Sequence, residues 1–192
     1  MMMRDGAASV EIAIPSGELL LQSRINFNHS RISARFIEFH QLPYEDAFFD
    51  LVYAQGTLAM AIRNFISTQV YRVLTPKGFF CLGETVALST VTPVFIQDLW
   101  KSAEMSVLTR DALLSYYQDR GFVIDTIKNL SGTLTQFYND SRAVLEERVK
   151  SMSAEEKKEY KKLLPRISHE INIYLKQGGN KHIGFIAHLF HK

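Results

Sequence analysis

One stretch, residues 36–84, constrains the fold of this chain more than any other. Two short apolar runs, at 48–53 and 79–82, flank a segment whose apolar residues recur three or four positions apart. That spacing, sustained over residues 58–74, predicts an amphipathic helix. The Thr-Pro-Lys-Gly segment at 75–78 contains the two residue types that most often end a helix. The stretch therefore predicts a βαβ unit, whose two strands run parallel and are joined by a right-handed crossover.

Three motifs within this stretch resemble those of the class I S-adenosylmethionine-dependent methyltransferases. They are Leu-Pro-Tyr-Glu-Asp at 42–46, Phe-Asp-Leu-Val at 49–52 and Arg-Val-Leu-Thr-Pro-Lys-Gly at 72–78. The family has a Leu-Pro turn, Phe-Asp-Leu-Val, a helix and Arg-Val-Leu-Lys-Pro-Gly-Gly in the same order, and this order carries the resemblance. It implies an α/β fold, a Rossmann-like three-layer sandwich with a mostly parallel sheet, an antiparallel last strand and a helical insert before it.

The glycine-rich cofactor loop of that family has a weak counterpart in Glu-Ile-Ala-Ile-Pro-Ser-Gly. By the resemblance, Glu11 matches the acid of the family's motif and Gly17 its last glycine, while Ala13 and Pro15 replace glycines. Proline removes a backbone donor and fixes φ, so Pro15 alters such a loop more than Ala13 does. An ordinary strand and turn is an equally good interpretation of this segment. Residues 31–39 supply the strand that leads into the Leu-Pro turn. A further complete strand and second helix do not fit in residues 18–30, and no residue corresponds to the family's ribose-binding acid.

Further cofactor contacts are predicted at the ends of two strands. By the resemblance, Glu38 accepts a hydrogen bond from the adenine amino group, and the Phe39 backbone meets the edge of the adenine ring. A solvated carboxylate at a strand end is an alternative of equal weight for Glu38. Ala54, Gln55 and Gly56 lie at the carboxyl end of the next strand, where ligands bind in open α/β sheets. We expect these three residues to contact the methionine end of S-adenosylmethionine.

The second half of the chain predicts two further strands. Thr109 is a good N-cap, because its hydroxyl can accept a hydrogen bond from the first turn of a helix that ends at Gly121. Residues 122–127 follow as a strand. Residues 182–190 alternate between apolar and polar types and are rich in branched and aromatic side chains, which predicts the last strand.

Between these strands the sequence is helical. We interpret the chain, 1–192, as one methyltransferase-like domain with a helical insert at 134–177. By the resemblance, the insert is a lid that shapes the substrate pocket. We expect it to pack above the carboxyl ends of the strands, near Gln55 and Glu84.

Composition limits the classes of function. The net charge of +2 and an apolar fraction of 46% give no support to a nucleic-acid partner. No apolar run approaches the roughly 20 residues that a membrane-spanning helix needs. The single Cys81 excludes an internal disulfide, and no signal-peptide core follows the first residues, so we expect a cytoplasmic protein. None of the six histidines has convincing metal-ligand spacing, and no metal is expected.

The resemblance implies methyl transfer from S-adenosylmethionine to a small-molecule acceptor, with no catalytic residue identified. The alternative is a shortened methyltransferase-like chain without activity, which acts as a binding or partner subunit. A third possibility is that the natural chain begins earlier, which would restore the enzyme interpretation. Because Pro15 stands in the loop and the ribose acid is missing, we expect this chain to bind the cofactor weakly or not at all. The sequence sets no oligomeric state.

Overall fold

Strands and helices alternate through most of this computed structural model, which describes residues 6–26 and 29–192. The described residues form strands β1 (Val10–Ile14), β2 (Ile32–Phe36), β3 (Phe49–Gln55), β4 (Leu74–Ala87), β5 (Leu108–Thr109), β6 (Val123–Asn129) and β7 (Ile183–His191). They also form helices α1 (Gly17–Asn26), α2 (Arg63–Val73), α3 (Val94–Ser102), α4 (Arg110–Gln118), α5 (Leu134–Ser151), α6 (Ala154–Glu159) and α7 (Leu163–Lys176). No helix within the described residues has the length and apolar content to cross a membrane.

The strands form two sheets. β1 and β2 pair in parallel with each other, and β3, β4, β7 and β6 form the main sheet in that order, with β5 beside the end of β4. β3 and β4 are parallel, whereas β7 runs antiparallel to both β4 and β6. The predicted βαβ unit and the antiparallel last strand paired with the strand before it are therefore confirmed. The fold is α/β and Rossmann-like, with mostly parallel strands.

The main core lies where β4 and β7 meet α2 and α4. Four buried aromatic rings, those of Phe80, Tyr117, Phe122 and Phe190, contact one another with centroids 5.0 to 6.0 Å apart. Buried aliphatic side chains of α2, such as Ile66, complete this cluster. Each large apolar side chain buried in this way contributes about 1.5–3 kcal/mol. The two helices predicted over 58–74 and after Thr109, which are α2 and α4, therefore both pack on the sheet.

Two boundaries of the central unit differ from the sequence prediction. The helix expected over 58–74 begins only at Arg63, because Leu58 is buried in a turn that precedes it. Residues 75–78, expected as a turn, belong to β4, which starts directly after α2. They are looped out of the ladder, since Leu74 lies opposite Phe49 while Phe79 lies opposite Leu51. Lys77 has a φ of 67°, which allows this bulge.

The segment at 37–48 connects the two sheets through hydrogen bonds. Arg72 of α2 donates to the carbonyl oxygens of Leu42 (2.8 Å) and Tyr44 (2.6 Å) and to the carboxylate of Asp46 (2.9 Å). The Leu-Pro-Tyr-Glu-Asp motif and the arginine of the Arg-Val-Leu motif thus contact each other. This contact explains why the two motifs occur together in the sequence. Arg72 holds the turn that leads into β3 by hydrogen bonds to three of its residues.

The helical segment between β6 and β7 packs at one end of the main sheet. The rings of Tyr138 on α5 and Tyr174 on α7 stack at 4.2 Å, and the Tyr138 hydroxyl donates to Glu170 at 2.9 Å. These helices share a buried cluster with Trp100 of α3 and with Ala87, the last residue of β4. The insert therefore has its apolar contacts at the carboxyl end of β4.

Candidate functional site

The carboxyl end of β3 offers open space next to an exposed backbone. Gly56 has a φ of 66° and donates its N–H to the carbonyl of Gly83 at 2.8 Å. A Cβ on Gly56 would have no neighbour within 4 Å, so a ligand can approach this backbone closely. Gln55 lies beside it, and its side-chain oxygen accepts a hydrogen bond from the hydroxyl of Tyr53. This turn can therefore present an amide and backbone groups to a polar ligand.

Gly83 makes room for this arrangement from the neighbouring strand. A Cβ on Gly83 would lie 2.9 Å from the ring of Phe185 and 3.3 Å from Cγ of Gln55. Any larger residue at this position would displace the ring or the glutamine. Glycine is therefore required at this position of β4, because the side chains of Gln55 on β3 and Phe185 on β7 meet above it.

A buried ion pair lies one residue further along β4. Arg63 donates to one carboxylate oxygen of Glu84 from Nη2 (2.6 Å) and Nε (3.1 Å), and from Nη2 to the carbonyl of Ser106 (2.5 Å). The hydroxyl of Tyr117 is 3.4 Å from the other carboxylate oxygen. The Glu84 side chain is fully buried and that of Arg63 nearly so. Burial raises the pKa of Glu84, and the Arg63 guanidinium opposes that rise.

This ion pair ties together three elements that surround the carboxyl end of the main sheet. Arg63 is the first residue of α2, Glu84 is in β4, and Ser106 precedes β5. A guanidinium bound by a carboxylate and a carbonyl has little freedom to move, so these elements are held in fixed relation. Both side chains are shielded from solvent, so the pair itself offers no exposed group to a ligand.

A neutral histidine occupies the same core. His188 of β7 is 1% exposed and stacks on Phe190 at 5.3 Å, and neither ring nitrogen has a hydrogen-bond partner among the described residues. Burial, with a smaller contribution from Arg110, lowers the pKa of His188 to about 4. The imidazole is therefore uncharged at neutral pH. No group of three or more metal-ligating side chains occurs in residues 6–26 and 29–192.

The structure separates the residues expected to form a cofactor loop. Glu11 is the second residue of β1, where its carboxylate accepts a hydrogen bond from the Tyr44 hydroxyl at 3.3 Å and lies 4.0 Å from Arg35. Ala13 is in the middle of the β1–β2 ladder, and Gly17 is the first residue of α1. Glu11 thus lies toward the amino end of its strand, whereas Gly17 follows the carboxyl end.

The two residues expected near the adenine follow β2. Glu38 is exposed, and its carboxylate is 4.0 Å from Nδ1 of His40. Phe39 packs against the main core. Both of the interpretations made for Glu38, an adenine acceptor and a solvated carboxylate, are compatible with this position.

Sequence reasoning missed the Arg63–Glu84 pair for two reasons. The expected helix began too early, so Arg63 did not stand out as the residue that starts it. The second strand was ended at residue 82, which left Glu84 outside it. The sequence did contain a signal for the buried carboxylate. Glu84 directly follows the apolar run Phe-Phe-Cys-Leu-Gly and continues the same strand, so its burial could have been predicted.

Comparison with known proteins gives one family match. Residues 5–82 match the sequence profile of a family described as a methyltransferase domain. No curated protein matches this sequence.

Solved structures with a similar fold cover nearly the whole chain. A putative sarcosine dimethylglycine methyltransferase from Galdieria sulphuraria superposes with a TM-score of 0.80 at 15% identity, over 96% of this chain and 69% of that one. The [4+2]-cyclase SpnF gives 0.75 at 18% identity, over 100% of this chain and 68% of that one. Haemonchus contortus phosphoethanolamine N-methyltransferase 2 gives 0.72 at 11% identity, over 100% of this chain and 51% of that one. At these identities the likeness concerns the fold, and the chain spans 51% to 69% of the length of these three proteins.

Proposed function

We propose that this chain is a class I S-adenosylmethionine-dependent methyltransferase and supports transfer of a methyl group from that cofactor to a small-molecule acceptor. The observation that carries the proposal is the match of residues 5–82 to a methyltransferase domain. A small acceptor is favoured by the similar Haemonchus contortus enzyme, whose structure is a complex with phosphomonomethylethanolamine and S-adenosylhomocysteine. The cofactor supplies a methyl group activated by a sulfonium, so the protein has mainly to align the two reactants and exclude water.

The end of β3 fits the methionine part of the cofactor. Gly56 leaves its backbone open, and the amide of Gln55 lies beside it. Charged amino and carboxylate groups can be held by backbone and amide groups at this position. Ala54 adds a side chain too small to block the approach. We therefore assign Ala54, Gln55 and Gly56 to the methionine end.

The ends of β1 and β2 fit the rest of the cofactor less well. Glu38 and Phe39 follow β2 and offer a carboxylate and a backbone for an adenine ring. The last residue of β1 is Ile14, which is buried and has no group that could bind ribose hydroxyls. Glu11 is occupied by Tyr44 at the other end of that strand. The described residues thus fit two parts of the cofactor but not its ribose, so we derive no catalytic step through it.

The second candidate function is a binding or partner subunit without catalytic activity. The observation that favours it is that β1 offers no free carboxylate for the ribose hydroxyls, since its only acid, Glu11, accepts a hydrogen bond from Tyr44. The two hydrogen bonds from such a carboxylate to the ribose hydroxyls are each worth roughly 1 kcal/mol net, and more when charged. Losing a bidentate carboxylate contact would weaken cofactor binding by on the order of 10- to 100-fold.

Calorimetric titration with S-adenosylmethionine tests both candidates. We expect weak binding that Gln55→Leu weakens further, whereas the matched control Gln136→Leu, in an exposed glutamine of α5, has no effect. A dissociation constant in the low micromolar range would contradict the predicted loss of the ribose contact. Equal affinities for wild type and Gln55→Leu would contradict the assignment of the β3 end.

Release of S-adenosylhomocysteine distinguishes the enzyme from the partner subunit. The assay offers sarcosine, dimethylglycine, phosphomonomethylethanolamine and geranyl diphosphate as acceptors, following the similar structures. Turnover with any of them that Gln55→Leu reduces supports methyl transfer. No turnover, together with no cofactor binding, supports the second candidate.

A further inference from the structure

The helical insert is a hairpin of two long helices that is joined to the sheet at one end only. The turn before α5 is held by Ser131, whose hydroxyl accepts a hydrogen bond from the backbone N–H of Phe185 in β7 (3.1 Å). α5 and α7 pack together through the stacked rings of Tyr138 and Tyr174. α5 has 18 residues, which corresponds to roughly 27 Å of helix. Residues 152–162 therefore lie at the end of the hairpin opposite its connections to the sheet.

Cations outnumber acids at this far end of the hairpin. Residues 157–166, which we call the basic tip, contain five cations and one acid, Glu159. Of the two acids just before the tip, Glu156 is already paired with Arg148 at 2.9 Å, which leaves Glu155. All five cations are exposed, and none of them forms a salt bridge within residues 6–26 and 29–192: they are Lys157, Lys158, Lys161, Lys162 and Arg166. The tip thus carries positive charge that the fold does not neutralise.

Apolar side chains lie among these cations. Leu163 is the first residue of α7, and 46% of its surface is exposed. The N–H groups of Leu163 and Leu164 both donate to the carbonyl of Tyr160 at 3.0 Å. The three apolar side chains therefore start from one compact turn, which also contains Lys161 and Lys162.

This combination of groups favours an anionic membrane surface over other acidic partners. The phosphates of a nucleic acid would neutralise the lysines but would leave the exposed leucine without an apolar partner. The interface of an anionic bilayer accommodates both kinds of group, because ammonium groups contact the lipid headgroups while apolar side chains enter the boundary of the acyl chains. Long lysine side chains can cover apolar surface and still keep their charge among the headgroups.

We propose that the basic tip binds the surface of an anionic lipid bilayer. Lys157, Lys158, Lys161, Lys162 and Arg166 contact the acidic headgroups, and Leu163 enters the boundary between headgroups and acyl chains. The contact is peripheral and reversible, since it uses one turn of the chain and a few charges. It does not involve the end of β3 and does not depend on the proposed methyl transfer.

Co-sedimentation with lipid vesicles tests the proposal on the full chain without cofactor. The two probes are vesicles of phosphatidylcholine alone and vesicles that also contain about 30% phosphatidylserine. We expect the chain to bind the anionic vesicles at least about 10-fold more strongly than the neutral ones. Because salt screens exposed charges, this binding should weaken as the salt concentration rises from about 0.1 M to about 0.5 M.

A pair of double variants locates the contact. Lys161→Gln/Lys162→Gln removes two charges from the basic tip. The matched control Lys101→Gln/Lys128→Gln removes the same charge from exposed positions on α3 and β6. We expect the tip variant to bind anionic vesicles at least about 10-fold more weakly than wild type, and the control to change binding by less than about 2-fold.

The apolar part of the contact is tested separately. Leu163→Ser keeps every charge of the tip but removes the side chain that enters the bilayer. Since about half of this leucine is already exposed, its transfer should contribute roughly 5-fold to vesicle binding. Val91→Ser, in a residue that is 79% exposed in the segment after β4, is the control and should leave binding unchanged.

Four results would overturn the proposal. The first is equal binding to neutral and anionic vesicles, and the second is an equal effect of the two double variants. The third is unchanged binding of Leu163→Ser to anionic vesicles. The fourth is stronger binding to a DNA duplex than to anionic vesicles, which would assign the tip to nucleic acid. None of these results bears on methyl transfer, because no cofactor is present in the experiment.

Discussion

Removal of the Arg63 guanidinium is the change whose effect the structure defines best. Arg63→Met keeps a long unbranched side chain but leaves the carboxylate of Glu84 without its cationic partner. Glu84 is fully buried, and its remaining hydrogen bond is a long one from Tyr117. Breaking one half of a buried ion pair typically costs about 3–5 kcal/mol, and we expect a loss in this range at pH 7.

The size of that loss depends on pH. Burial already raises the pKa of Glu84 above its value in the unfolded chain, and Arg63 opposes this rise. Without Arg63 the pKa rises further, so the folded variant takes up a proton that the unfolded chain has released. The free-energy penalty therefore grows by about 1.4 kcal/mol per pH unit between the folded-state pKa values of wild type and variant. It shrinks as the pH falls through that window and is constant below it, where Glu84 is protonated in both folded proteins.

Urea unfolding of wild type and Arg63→Met from pH 5 to pH 8 measures this dependence. Arg148→Met is the matched control, because Arg148 forms an exposed pair with Glu156 worth about 1 kcal/mol or less. The double variant Arg63→Met/Glu84→Leu should recover most of the loss, since it removes the buried charge as well. A loss below about 1 kcal/mol, or one that does not change with pH, would refute the argument.

Two further substitutions have expected outcomes. His188 is buried and its pKa is lowered from 6.5 to about 4, so the wild-type chain should lose about 3 kcal/mol of stability as the pH falls through this window. His188→Leu should remove that dependence in unfolding curves, and an unchanged slope would contradict the assignment. Gly83→Ala should cost about 1–3 kcal/mol, because its Cβ would lie 2.9 Å from Phe185. Gly132→Ala, where a Cβ meets nothing within 4 Å, serves as the control in thermal melts, and equal melting temperatures would count against the close contact.

Local patterns were the most reliable guide to the fold. The N-cap at Thr109 is present, with its hydroxyl 3.3 Å from the N–H of Ala112, and Gly121 follows the helix with a φ of 87°. These features depend on residues close together in the chain, so the sequence contains the whole interaction. The helix expected over 58–74 was too long, because a local pattern does not show whether an apolar residue is buried by its own helix or by other parts of the fold. Its apolar period continues through Leu58, which is buried by tertiary contacts outside the helix.

The candidate site could be predicted only in part. Gln55 and Gly56 lie at the end of a strand, as their position after an apolar run predicted. The contact of Glu11 with Tyr44 could not be predicted, because the two residues are 33 positions apart and no periodicity links them. The Arg63–Glu84 pair presents the same difficulty at a separation of 21 positions.

The sequence by itself determined most of the order of strands and helices and the parallel βαβ unit, since hydrophobic periodicity and helix-ending residues act within a few positions. The type of fold was implied by the resemblance of its motifs to a known family. Only the tertiary structure decided that β7 lies between β4 and β6 and that β1 and β2 form a sheet of their own. Backbone hydrogen bonds are the same for every residue type, so the pattern of β1 and β3 indicates burial but not a partner. The separation of β1–β2 from the main sheet, and the two free edges that result, follow from that choice of neighbours.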